Sequence, residues 1–207
     1  FLGSFIDANK SQDIRKITRF LGNAFLDIKA TDNELFLNGV SLPAKNADQS
    51  FIGTFRNQET GRILVADLMP NNTAMLYHMA FSNFKDWQSQ LFKYWSAVDQ
   101  EQFQRAMDFD SNYRLSLDWI QGEVACAVLE TPDNYNPDYL AFIGTSDPFL
   151  AMQNMQMFIE KLMEEQEDSV FMEVYNDHPI FQVPYSDFPR LLLGDFFSGF
   201  ENSFITA

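Results

Sequence analysis

Reactive side chains are scarce in this chain of 207 residues, which has one cysteine and two histidines. A lone Cys126 excludes an intramolecular disulfide, although that does not place the compartment. With only His78 and His178 beside that thiol, a clustered His/Cys metal site is not expected. Basic residues are few as well: 14 Lys and Arg stand against 29 Asp and Glu, a formal charge of −15. Such a surface repels phosphate backbones and anionic headgroups, so no nucleic-acid partner is expected. No apolar run approaches the roughly 20 residues of a membrane span, so this segment is not expected to insert directly. The nine glycines form neither a phosphate-cradling loop nor a G-x-S-x-G elbow. Asp108, Asp110 and Asn112 begin like a calcium loop, but Tyr113 replaces the required glycine and Trp119 the bidentate Glu. These absences leave no catalytic, cofactor-binding or metal-ligating residues to name.

What is abundant is apolar bulk. Hydrophobic residues make up 46% of the chain, with 22 Phe, seven Tyr and three Trp, which reads as a globular core. The stretch from Asp67 to Trp95 organises the rest. Pro70, Asn71 and Asn72 form turns, because the ring fixes φ and Asn side chains bond nearby backbone. Residues 74–81 are nearly all apolar, as in a strand covered on both faces. Ser82 or Asn83 can cap a helix by accepting from a first-turn N–H. Phe84, Trp87, Leu91 and Trp95 then recur at threes and fours, lining one face of that helix.

A fainter copy follows at an offset of about 64 positions, in the manner of a sequence repeat. Leu76 is matched by Leu140, Ala80 by Gly144, Ser82 by Ser146 and Asn83 by Asp147. Asp147-Pro148 starts a helix well, with a capping carboxylate before proline at the first helical position. Met152, Met155, Ile159, Leu162 and Met163 keep an apolar stripe. The two strand–cap–helix units span about 74–95 and 139–165; chance similarity is an equal reading.

Elsewhere, residues 14–21 suit a short helix, and 25–30 and 34–42 two strands about the turn 31–33. Asn38-Gly39 signals a second turn or a bulge. Residues 47–58 suggest a short helix, and Asp99-Gln-Glu-Gln102 resembles a capping box opening another through Met107. Residues 113–121 fit strand and helix alike. Residues 124–129 read as a strand, 130–138 as a loop and 164–168 as a solvated acidic helix end. Residues 170–175 and 180–183 flank a hairpin turn, and 188–200 form a dense apolar tail. His78, mid-strand among apolar neighbours, reads as a core histidine, and His178 as an exposed turn residue. Trp87, Tyr94, Trp95 and Trp119 read as core before a sugar-stacking platform. A glycosidase would need two carboxylates across a cleft, and the 29 acids single out none.

Several of these segments together resemble a known family. Phe25-Leu-Asp-Ile-Lys, Glu34-Leu-Phe-Leu-Asn-Gly39, Phe55 to Gln58, Met69-Pro-Asn-Asn-Thr-Ala74, Ser82-Asn-Phe84 and Trp119 to Val124 are the relevant stretches. They resemble a family of cell-envelope proteins of the Bacteroidetes whose function is unknown, with an "lNG" strand, an "f..Q" helix, an "lP.nta" turn and a "W.g.E" element. Phe25 stands where that family has a tryptophan. The resemblance implies an exported, membrane-tethered protein in the periplasm or envelope, and it supplies no catalytic residues.

The expectation is therefore an α+β domain over 1–207 with sub-units 1–61 and 62–207. It has a mixed sheet whose central strands lie near 74–81 and 139–144, with amphipathic helices packed on it. Phe1 in place of an initiator Met, and a final strand-like 203–207, read as a piece of something longer. The expected function is a non-catalytic envelope interaction or scaffold module. Its partner would be the remainder of its own chain or another envelope protein, met through Phe196, Phe197 and Phe200. The rivals are a binder of glycan or apolar ligand using surface aromatics, and a hydrolase with an unrecognised carboxylate pair.

Overall fold

A computed structural model describes residues 23–31, 35–43, 50–113, 115–131, 138–165, 172–176, 178–183, 185–200 and 203–205. The first helix expected over 14–21 and the loop over 132–137 lie outside them. The fold is α+β, and two compact units divide it: Phe1–Asn57 with Ser89–Gln100, and Gln58–Gln88 with Glu101–Ala207.

In the smaller unit, β1 (Asn23–Ala30) and β2 (Leu35–Leu42) form an antiparallel ribbon. Asn38-Gly39 makes no turn there: Asp27 pairs with Asn38 and Leu26 with Gly39 in unbroken register. The glycine serves close approach instead, since a Cβ at Gly39 would collide with the Phe25 carbonyl oxygen. The helix expected over 47–58 is a short 3-10 turn, Phe51–Phe55. Thr54 Oγ1 donates to the Phe51 carbonyl at 2.7 Å, and the Phe51 ring meets Phe55 and Tyr94 edge-on. A β-rich, threonine- and glycine-containing segment closes a tight turn more readily than it sustains a helix.

Helix α1 (Phe84–Val98) crosses the division and buries its whole expected stripe, Phe84, Trp87, Leu91 and Trp95. In the larger unit, β3 (Thr73–Phe81), β4 (Ile120–Leu129) and β5 (Asp138–Thr145) form a sheet ordered β3-β4-β5. Strands 74–81 and 139–144 thus share a sheet, as expected, but it is antiparallel throughout rather than mixed. β4 inserts between them and runs opposite to both, so β3 and β5 point the same way without pairing. The most covered strand of this sheet is accordingly β4, where Val124 to Ala127 are buried, while β3 is mostly half-exposed.

The sequence repeat becomes a register. Leu76 and Leu140 both oppose Ala127, Tyr77 and Ala141 both oppose Cys126, and Met79 and Ile143 both oppose Val124. The caps match too. Asn83 Oδ1 accepts from Asp86 N at 2.9 Å, and Asp147 Oδ1 from Leu150 N at 2.9 Å. Ala151, Met155 and Ile159 of α3 (Pro148–Glu165) are buried at the offsets of Trp87, Leu91 and Trp95.

Helix α2 (Gln100–Tyr113) runs past the expected Met107, and Asp108, Asp110 and Asn112 lie on it as helix rather than as a loop. Residues 115–119 are neither strand nor helix but lead through a turn into β4. Phe109 of α2 gathers a ring cluster with Tyr113, Phe158, Tyr185 and Phe188 of the last helix, α4 (Phe188–Leu193). The third sheet, β6 (Met172–Tyr175), β7 (His178–Val183) and β8 (Ser203–Ile205), is antiparallel with β7 central. Asn176 takes φ 49° in the β6–β7 turn, a conformation its short side chain tolerates.

Candidate functional site

The two faces of the central sheet carry different things, because paired residues share a face and alternate ones do not. On one face stand Tyr77 and Tyr139, and the apolar tail meets them there. Phe196 lies 5.2 Å from Tyr77 and Phe200 lies 5.6 Å from Tyr139, ring centre to ring centre. Phe197 is wholly buried, while Phe196 and Phe200 are half-buried. The structure therefore brings two of the three sequence-nominated residues to this face as partly open rings and encloses the third.

Asp187 holds the tail. It sits at φ 57° ahead of α4, where its Oδ1 accepts from Gly199 N at 2.8 Å and Phe200 N at 3.2 Å. Its own N–H donates to the Phe200 carbonyl at 2.9 Å. Gly199, at φ 97°, lies so close to the Tyr139 ring that a Cβ would come within 3.3 Å of it.

The opposite face carries the converging titratable pair. His78 Nε2 is 2.8 Å from Glu123 Oε2, and both side chains are about six-sevenths buried, at 14% and 15% exposure. Glu123 stands there by plain alternation, opposite Ala80 and two places from Ala125, the partner of His78, and beside it β4 is irregular toward β5. Register shifts between Ile120 and Val124, and Gly122 takes φ 78°, which glycine accepts without strain. Gly144 of β5 backs onto the same irregularity, where a Cβ would lie 2.6 Å from the Gln121 carbonyl oxygen.

The same carboxylate oxygen also accepts from Leu64 N at 3.0 Å. Leu64 belongs to a strap, Gln58 to Leu64, laid along this face. At its start Gln58 Oε1 accepts from Ser82 N and Asn83 N, each at 3.0 Å, and Glu59 N donates to Ser82 Oγ at 3.2 Å. Midway, Gly61 presses against Ala80, with room for no Cβ. The pair is thus bound into a backbone clasp. The sequence places His78 on a buried strand but does not find Glu123, one of 29 acids, because the two meet only through the β3–β4 register, in which Glu123 opposes Ala80.

Beside the start of α1 lies an open groove of about 560 Å³. Phe81, Phe84, Leu117 and Ile120 are its buried apolar lining, and Ser82, Asn83, Lys85, Asp118 and Gln121 its polar one. Its single carboxylate, Asp118, lies 3.6 Å from Lys85 Nζ, both well exposed. A bond-cleaving pair of carboxylates does not converge there. Trp87, Trp95 and Trp119 are all buried, and Trp119 Nε1 donates to the Ser116 carbonyl at 2.8 Å, so no sugar-stacking platform is built from them.

Among the described residues no group of three or more His, Cys, Asp or Glu is placed to hold a metal, and no helix is long and apolar enough to cross a membrane. Cys126 is buried in β4, and that burial pushes its thiol up to about 11. No family model matches the chain, and no curated protein or solved structure matches it either.

Proposed function

We propose that this chain is a non-catalytic interaction or scaffold module of a bacterial cell envelope. The observation that carries this reading is the contrast between its polar and apolar groups. The acid–histidine pair is engaged with backbone, while large apolar side chains stand in solvent. On the third sheet Met172, Val174, Tyr175 and Phe204 are each more than half exposed. By register Met172 and Val174 lie on one face of that sheet and Tyr175 and Phe204 on the other, and exposed apolar surface of that kind marks an interface. Phe196 and Phe200 add partly open rings beside Tyr77 and Tyr139. The envelope location, and tethering through a region outside this chain, rest on the family resemblance of the strand, turn and WIQGEV segments.

The test is a photo-crosslinking residue at position 174 or 204 in the cells that make the protein. The expected result is one discrete adduct, with an envelope protein or with more of its own chain, recovered in the envelope fraction. Recovery in the cytoplasm with no adduct overturns the reading. Turnover in a broad substrate screen that disappears in Glu123→Gln overturns its non-catalytic half.

A further inference from the structure

The ribbon of the smaller unit is largely uncovered. Phe25 and Ile28 are 67% and 64% exposed, and Leu26, Phe36, Val40 and Leu42 at least half. By register Phe25 and Val40 share one face, and Leu26 and Ile28 lie on the other, so both faces are bare. A two-stranded ribbon is at best marginally stable in water by itself. Among the described residues the sheet has only these two strands, so the outer edge of β1 is unpaired. Neither strand contains proline, and the only charges on β1 are Asp27 and Lys29, so little else keeps this edge from recruiting another strand.

The charges choose the recruit. In a chain of net charge −15, β1 and β2 carry only Asp27 and Lys29, one of each sign, two residues apart about Ile28. A second β1 laid antiparallel with Ile28 opposite Ile28 sets Asp27 of each copy against Lys29 of the other, twice over. This is the self-complementary contact that a two-fold axis demands, and opposite charges directly across an antiparallel pair attract. Elsewhere two such acidic chains repel. We propose that β1 is a self-association edge, through which two copies join their ribbons into a four-stranded antiparallel sheet, β2-β1-β1-β2. This does not depend on the envelope reading.

Sedimentation over a concentration series tests it. Wild-type chain is expected at twice its 23.9 kDa mass at micromolar concentrations. Asp27→Lys places Lys opposite Lys and Lys29→Asp places Asp opposite Asp, so each alone weakens the dimer about tenfold or more. Mixing the two single variants restores complementarity and yields a heterodimer, which also shows that both are folded. The double exchange Asp27→Lys with Lys29→Asp dimerises as wild type. A monomeric wild type at about 100 μM overturns the proposal and leaves the ribbon to a different chain. So does a dimer that neither single change weakens, or a mixture that fails to associate.

Discussion

Gly122 and Gly144 meet at one irregularity, yet an added methyl acts on them by different physics. At Gly122 nothing lies within 4 Å of a built Cβ, so Gly122→Ala suffers only the positive φ of 78°. That left-handed conformation costs an L-residue about 1 kcal/mol. At Gly144 the new methyl would meet the Gln121 oxygen at 2.6 Å and the Glu123 oxygen at 2.8 Å. Both are backbone atoms of a paired strand and cannot swing aside. Overpacking of that kind costs roughly 2–3 kcal/mol. For a chain of this size each kcal/mol moves Tm by about 2–4 °C. Thermal unfolding should therefore place Gly144→Ala roughly 4–12 °C below wild type and Gly122→Ala about 2–4 °C below. Gly122→Asn should be nearly neutral, since Asn tolerates that φ. If Gly122→Ala proves the costlier change, or Gly144→Ala is neutral, the irregularity is not built as described.

Other outcomes follow from the same packing. Cys126 should react slowly with a thiol reagent in the native chain at pH 8 and fast in denaturant; equal rates would contradict its burial. Burial raises its folded pKa from the ordinary 9.0 to about 11, so the stability it contributes is whole below pH 9 and lost between pH 9 and 11. Asn83→Ala and Asp147→Ala should each cost about 1 kcal/mol by chemical denaturation, since each removes an N-terminal cap acceptor. Asp187→Ala should cost about 1–2 kcal/mol and expose the chain near Gly199 to protease, whereas Asp187→Asn keeps an acceptor and resists cleavage.

What the sequence reveals of this fold is what periodicity and capping encode. Trp87, Leu91 and Trp95 announce a helix face, and Asn83 and Asp147 announce where two helices begin. The offset that aligns Leu76 with Leu140 also predicts which residues share a row of the sheet, because two similar strands flank β4 on equal terms. It does not predict β4 between them. Antiparallel insertion depends on pairing across the chain, and residues 115–119 carry no period that points to it. Asn38-Gly39 misleads for a related reason: a glycine needed for close approach looks, in sequence, like one needed for a turn. The site was legible by half. His78 stands out as one of two histidines, but the acid that meets it is distinguished only by the register of β4 on β3.

Whether Glu123 serves to hold backbone is tested most directly by amide exchange at Leu64 in wild type and in Glu123→Leu, which removes the acceptor at similar volume. The Leu64 N–H donates to Glu123 Oε2 at 3.0 Å, and an intramolecular hydrogen bond contributes about 1–1.5 kcal/mol. Exchange at Leu64 should then quicken roughly tenfold in the variant. Unchanged protection at Leu64 would contradict the clasp and free the His78–Glu123 pair for another role.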